Sequence, residues 1–249
     1  MKYTNSSLVN YKKISPNKTS PRNHEIDTIT IHCVVGQLSV EAIGNIFAKA
    51  SNKCSSNYGI GTDGKVGMYV EEKDRSWCSS SSSNDNRAIT IEVASDTKHP
   101  YKINSAAYKT LIDLCVDICK RNNIKELKWK GDKSLIGQID KQNMTVHRWF
   151  ANKACPGDYL YNLHGQIANE VNAKLKKPAV LYRVQVGAYS NKSNADKMLE
   201  KLKSLGYNTY VVKVGNLYKI QVGAFSVKSN ADAMVQKIKS SGFDAFITT

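Results

Sequence analysis

No run of about 18 apolar residues occurs in this chain of 249, so no segment is expected to span a membrane. The pattern C-x-x-C is also missing. The six cysteines, at 33, 54, 78, 115, 119 and 155, are scattered, which argues against a disulfide framework. Acidic residues are scarce: 21 against 36 lysines and arginines, a formal net charge of +15. Residues 1–177 carry +9 of this and residues 178–249 carry +6. Such a balance favours polyanionic partners, nucleic acid or an anionic cell wall, without choosing between them. The opening stretch MKYTNSSLVNYKKISPNKTS lacks the apolar core and cleavage site of a secretory signal. The expectation is therefore synthesis in the cytoplasm without a signal peptide, and no membrane insertion.

What is present begins with an internal repeat. VQVGAYSNKSNADKMLEKLKSLGYNTYV (184–211) aligns without gaps on IQVGAFSVKSNADAMVQKIKSSGFDAFI (220–247), with 15 of 28 positions identical at an offset of 36. Each copy reads as a strand, a Ser-led helix closed by Gly206 or Gly242, and a second short strand. Met198, Leu199 and Leu202, then Met234, Val235 and Ile238, supply the apolar helix faces. Two such units predict a small βαββαβ, ferredoxin-like α+β domain. Lys176-Lys177-Pro178-Ala179 reads as a linker, dividing the chain into domains 1–176 and 177–249.

The first domain mixes the two periodicities. DTITIHCVV (27–35) alternates Ile29, Ile31 and Cys33 against Thr28, Thr30 and His32, and AITIEVA (88–94) is a second strand. GIGTDGKVGMYV (59–70) reads as a hairpin about Asp63-Gly64. Ser39–Ala50, Ser105–Arg121 and Asp158–Leu175 read as helices, the first two with serine at the N-cap. Cys115 and Cys119 then share one helix face as small core residues, and Cys33 is core as well. SSSSSNDN (79–86) reads as a mobile loop beside the site. Strands alternating with helices predict an α/β fold, a mixed sheet flanked by helices.

Only five histidines are available for chemistry: 24, 32, 99, 147 and 164. His32 sits on the polar face of an apolar strand, and His147 opens HRWFANKACPG, which ends at Cys155-Pro-Gly. Two imidazoles and a thiolate are the donor set of a catalytic zinc with an open position. A Cys-His nucleophile and a bland core are the other readings of the same residues, and spacing alone leaves all three open.

Taken together, TITIH32, SSNY58GIGTDGKV, Trp77 before a loop, Asn86 followed by ITIE92, and H147-x5-K153-x-C155-P-G resemble the type 2 N-acetylmuramoyl-L-alanine amidases. The resemblance spans roughly residues 20–175. It implies a zinc groove in the first domain, with His32, His147 and Cys155 as the Zn2+ ligands and Tyr58, Glu92 and Lys153 as catalytic residues. Trp77-Cys78-Ser79 stands where that family often has Trp-His-Ala, a departure that does not touch the ligands. The implied reaction is hydrolysis of the amide between N-acetylmuramic acid and L-alanine of peptidoglycan, in a phage or prophage endolysin or a host autolysin acting on the wall after release. A non-catalytic peptidoglycan-recognition protein on the same fold is the rival.

YRVQVGAYS and YKIQVGAFS resemble the sporulation-related repeat (SPOR) domain over 180–249. That resemblance implies binding to peptidoglycan glycan strands, with Gln185, Tyr189, Tyr218, Gln221 and Phe225 as glycan-binding candidates. An RNA-binding βαββαβ module would carry a K/R-G-F/Y-G/A-F-V-x-F/Y strand, which is missing here, so nucleic acid is not expected as a partner.

Overall fold

The structure, a computed structural model, describes residues 3–176 and 181–249. These fall into two compact units, one on each side of the 177/178 junction. Of the linker expected at 176–179, Lys176 ends the last helix of the first unit and 177–179 lie outside the described residues.

The first unit is built on eight short strands and four helices: β1 (Val9–Lys12), β2 (Lys18–Thr19), β3 (Thr28–Val35), α1 (Val40–Phe47), β4 (Tyr58–Ile60), β5 (Val66–Met68), β6 (Arg75–Ser76), α2 (Ser82–Arg87), β7 (Ala88–Ser95), α3 (Ser105–Arg121), β8 (Met144–Thr145) and α4 (Gly157–Lys176). Six strands form one mixed sheet in the order β1-β5-β4-β7-β3-β8. β3 runs parallel to both β7 and β8, and the expected hairpin is the antiparallel β4–β5 pair. The strands β3 and β7 are buried along almost their whole length, as expected of parallel strands covered on both faces.

The alternation in β3 divides the sheet. Ile29, Ile31 and Cys33 join Ile89, Ile91 and Val93 of β7 in the main core, which α3 and α4 complete with Leu111, Cys115, Ile118, Leu160, Ile167 and Val171. The helix positions recur at three, four and seven residues, one stripe per helix, and each buried Leu or Ile contributes about 1.5–3 kcal/mol. On the other face Val34 packs with Ile43, Phe47 and Tyr69 around α1.

Two details of helix starts differ from expectation. Ser39 does cap α1, accepting from Ala42 N at 3.3 Å, but α3 is capped by Asn104, whose Oδ1 accepts from Ala107 N at 2.8 Å. Asparagine and serine cap equally well, and Ser105 is simply the first helical residue. The serine-rich stretch expected as a loop contains α2, with Ser81 as its N-cap. Serine and asparagine are poor helix formers on their own; here their side chains are engaged in tertiary hydrogen bonds, described below.

The second unit runs β9 (Tyr182–Tyr189), α5 (Lys192–Ser204), β10 (Tyr210–Val214), β11 (Leu217–Phe225), α6 (Lys228–Ser240) and β12 (Phe246–Thr248), an antiparallel sheet in the order β10-β11-β9-β12. This is the expected βαββαβ layout. Val184, Val186, Ile220 and Val222 meet Ala195, Leu202, Ala231, Val235 and Ile238 in a core of its own. Gly206 and Gly242 close the helices at φ +82° and +84°. The helices are not led by serine: Asn191 caps α5 and Val227 precedes α6 without a side-chain cap.

Candidate active site

Because β3 and β7 are parallel and in register, His32 and Glu92 are directly opposed and share one face of the sheet. β8, on the other side of β3, delivers the chain into a 3-10 turn, His147–Trp149. The segment from His147 to Cys155 then folds back on itself, Arg148 N donating to Cys155 O at 3.1 Å. The Arg148 side chain holds the fold-back, donating to Ala154 O at 2.7 Å and to Asp158 Oδ1 at 2.9 Å. Gly157, at φ +79°, ends it: a Cβ there would lie 2.8 Å from Pro100 O. Trp149 stacks on Trp129 with centroids 5.0 Å apart, fixing the 3-10 turn from behind.

The outcome is that one donor atom each from His32, His147 and Cys155 lies within 4.8 Å of the others. Cys155 Sγ is 3.3 Å from His32 Nδ1, and the two imidazole rings meet edge to face at 5.2 Å. Burial, and then the neighbouring His147 and His164, push the His32 pKa well below its ordinary value. Burial and the charge of Lys153 lower that of His147. Both rings are therefore neutral at pH 7, the form that donates a lone pair to a metal. The Cys155 thiol is pushed up, chiefly by its hydrogen bond with Cys33, then by burial and by Glu92. A divalent cation reverses that preference, because it stabilises the thiolate. The donor set thus fits a zinc ion: two neutral imidazoles and one thiolate, with His32 Nδ1 turned toward the Cys155 sulfur.

Glu92 floors the cluster. Burial above all, then the nearby Cys33, raise its pKa to about 8. Its Oε2 is buried without a partner, and Cys78 Sγ donates to Oε1 at 3.8 Å. Lys153 is exposed and borders, with His147, a groove of about 340 Å³ also lined by Lys53, Arg75, Trp77 and Cys78. The groove wall is α2. Asn84 donates to Thr30 Oγ1 and accepts from Thr145 Oγ1, at 3.0 and 2.9 Å, tying α2 to β3 and β8. Asp85 accepts from the backbone of Cys78 and Ser79. Ser80 Oγ lies 3.0 Å from His147 Nε2. The buried Arg22 spans the base of this wall, donating to the carbonyls of Glu72, Asp74, Asn86 and Ala88.

Tyr58 is not brought to this site, which corrects the expectation that it is catalytic. Its register partner on β7 is Ile91, whereas Glu92 is opposed by Gly59, so its ring points into the α3 side of the sheet. There its hydroxyl donates to Glu72 Oε1 at 2.7 Å and accepts from Ser6 N at 2.9 Å. Burial and the Glu72 carboxylate push its pKa up, so the phenol keeps its proton. Cys33 is core as expected, yet its thiol also reaches Cys155. Arg148 was not singled out from sequence, its one available signal being its place inside the fold-back; the serine-rich stretch was expected beside the site, and it lines the groove, as a helix rather than a loop.

In the second unit the five glycan-binding candidates separate. Gln185 and Gln221 are cross-strand partners, and the row continues to Tyr210 on β10 and Phe246 on β12. Tyr210 and Phe246 are 40% and 51% exposed, and they occupy equivalent places in the two repeats. Tyr189, Tyr218 and Phe225 instead pack against the core of this unit. The β9–β11 register shifts on both sides of Gln221, with Gly223 at φ +87°, and such shifts turn the following side chains to the other face.

Comparison with known proteins agrees with this architecture. The family model for N-acetylmuramoyl-L-alanine amidase matches residues 22–158, and the model for the SPOR domain matches residues 178–249. No curated protein matches the chain. Among solved structures, the chain is similar to the peptidoglycan binding domain of the B. subtilis cell wall lytic enzyme CwlC, 41% identical over 29% of this chain and 95% of that one, TM-score 0.27. It is similar to a mutant endolysin from Bacillus subtilis, 16% identical over 66% of this chain and 99% of that one, TM-score 0.48. An endolysin N-acetylmuramoyl-L-alanine amidase, LysCS from Clostridium intestinale, is 17% identical over 68% of this chain and 94% of that one, TM-score 0.45.

Proposed function

The chain belongs to the N-acetylmuramoyl-L-alanine amidase family, with a SPOR domain after the amidase region, and from that premise we propose that it is a zinc-dependent hydrolase of the amide joining N-acetylmuramic acid to L-alanine. Domain 1–176 is the catalyst and domain 177–249 holds the enzyme on peptidoglycan. The observation that carries this reading is the convergence of His32, His147 and Cys155 within 4.8 Å, on a groove open to solvent.

An amide is a poor electrophile with a poor leaving group, so its hydrolysis needs an activated water, a partner for the oxyanion and a proton for the departing nitrogen. His32, His147 and Cys155 would hold the zinc, which when bound would supply an acidified water and polarise the scissile carbonyl. Glu92, pushed up to about 8 chiefly by burial, lies near neutrality, in the range where a carboxyl can take a proton and return it. It takes a proton from the attacking water and passes it to the leaving amine of L-alanine. Lys153, at the groove rim beside His147, is the cation for the developing oxyanion. Arg148 keeps His147 and Cys155 at their separation throughout.

In the second domain a sheet face suits a sugar polymer: its aromatic rings can stack on pyranose faces, while the paired glutamines, 4% and 6% exposed, are buried between them and brace the row rather than meet the sugar. The support is the row Tyr210–Gln221–Gln185–Phe246, whose outer members are exposed. A role as a phage or prophage endolysin belongs to the same reading.

The test is digestion of purified peptidoglycan by the full chain, reading new amino termini on L-alanine. They should appear with the wild type, vanish on removal of metal by a chelator, and return on adding Zn2+. Turnover that survives chelation, or that alkylation of thiols abolishes while metal stays bound, would point to Cys155 as a nucleophile and sink the reading.

A further inference from the structure

His32 belongs to two donor sets. The second consists of His32, Cys78 and Glu92, one ligand atom of each again lying within 4.8 Å of the others. Two polar atoms of these residues, His32 Nε2 and Glu92 Oε2, are buried without a hydrogen-bond partner among the described residues, and His32 is fully buried. Buried polar atoms left unpaired cost free energy, which a ligand satisfying them offsets.

The set is also held in place. His32 and Glu92 are opposed on adjacent parallel strands. Cys78 is fixed through its own N–H, which donates to Asp85 Oδ2 at 3.0 Å. The preceding residue is clamped too: Ser55 N donates to Trp77 O at 2.9 Å and Trp77 N donates to Ser55 Oγ at 3.0 Å. Cys78 Sγ stands 3.8 Å from Glu92 Oε1. Donors on strands and on a doubly anchored turn need little rearrangement to close on an ion.

We propose that Cys78, Glu92 and His32 form a second seat for a thiophilic divalent cation of the zinc type, and that filling it at excess metal inhibits turnover by occupying Glu92. The ligand chemistry narrows the ion. A sulfur, a carboxylate and an imidazole suit Zn2+ or Co2+, whereas Mg2+ and Ca2+ prefer oxygen throughout. The seat is weaker than the one made by His32, His147 and Cys155: with both filled, His32 must bridge the two ions as an imidazolate, releasing its remaining ring proton to solvent, and two cations this close repel. The inhibitory half rests on the reading that Glu92 carries the proton in hydrolysis; the existence of the seat does not.

Co2+ is the probe, because thiolate ligation gives it a charge-transfer absorption. Titrating the metal-free full chain should show a strong and then a weaker equivalent, both with thiolate bands. Cys78→Ser should keep the strong equivalent, which also shows that the variant folds, and lose the weaker one. Cys155→Ser should retain a thiolate band that disappears in the Cys78→Ser/Cys155→Ser double variant, while Cys54→Ser, which removes another thiol lining the groove, changes nothing. With Zn2+ and peptidoglycan, the ratio of turnover at excess to turnover at stoichiometric metal should fall well below one in the wild type and return to one in Cys78→Ser. Saturation of the wild type at a single equivalent, or a second equivalent that persists in Cys78→Ser, overturns the seat. A second equivalent that binds through Cys78 and leaves turnover untouched overturns the inhibition, and with it the role given to Glu92.

Discussion

His32 and Glu92 are opposed partners on β3 and β7, and each ends in a buried polar atom with no partner among the described residues, Nε2 and Oε2. The sheet register thus sets an imidazole and a carboxyl side by side without any loop between them. Their distance cannot drift unless the two central strands part. Cys155, by contrast, reaches His32 only through the fold-back that begins at His147, so the metal cluster joins a rigid half to an adjustable one.

Cys155→Ser should lower turnover by more than about 100-fold, since even residues that merely orient metal ligands cost 10–100-fold when lost. Metal content of the purified variant, measured beside L-alanine release, checks it. A variant that keeps its zinc and its turnover would remove Cys155 from the ligand set.

Arg148→Ala should weaken metal binding by about 10–100-fold while the fold persists. Arg148 touches no donor atom; it ties Ala154 and Asp158 to the turn that carries His147. Competition against a chelator of known affinity reads the effect. An unchanged metal affinity would mean that Gly157 and the Trp149–Trp129 stack hold the fold-back alone.

Glu92→Gln should stabilise the metal-free chain, and more so as pH rises. Below about pH 4.5 folded and unfolded chains both hold the Glu92 proton and the substitution changes little. Between 4.5 and about 8 only the folded state holds it, so stability is lost as pH climbs through that window. Each tenfold difference in proton affinity between the two states is worth ~1.4 kcal/mol, so the effect at pH 7 is on the order of 3 kcal/mol. Thermal melts of both chains at several pH values should therefore diverge toward alkali. Parallel curves would show that Glu92 is ionised in the folded metal-free protein.

How legible these features are in the sequence depends on what carries them. The alternation in TITIHCVV and AITIEVA, the Asp63-Gly64 hairpin and the repeat at offset 36 rest on local periodicity, and the structure has β3, β7, β4–β5 and the βαββαβ unit where they predict them. What failed depends on parity or on distant partners. Tyr58 lies one residue from the position facing Glu92, and that step sends its ring to the opposite side. The register shifts at Gln221 misplace Tyr189 and Phe225 in the same manner, while hiding Tyr210 and Phe246, whose exposure only the assembled sheet reveals. The serine run reads as a loop because its helix is stabilised by Thr30 and Thr145, far away in sequence.

Tyr58→Phe tests that parity argument. Turnover should stay within about twofold, because the hydroxyl faces Glu72 rather than the groove. Stability should fall by about 1–3 kcal/mol, since a buried carboxylate loses a donor and Ser6 N loses its acceptor. Urea unfolding together with L-alanine release separates the two effects. A large loss of turnover in a folded variant would bring Tyr58 back to the reaction.

Tyr210→Ser and Phe246→Ser, made together, should weaken retention on peptidoglycan while leaving the second domain folded. Both rings are about half exposed, so their removal opens no cavity in the core. Aromatic contacts of this kind contribute about 0.5–1.5 kcal/mol each, so the pair should cost roughly 5- to 150-fold in affinity. Tyr189→Phe and Tyr218→Phe, which alter only the hydroxyls of rings packed on the core, should bind as the wild type does. Co-sedimentation of full-length variants with purified glycan strands measures both. If the serine pair binds normally and the hydroxyl variants do not, the glycan lies along the β9–β11 ends rather than across the Gln185–Gln221 row.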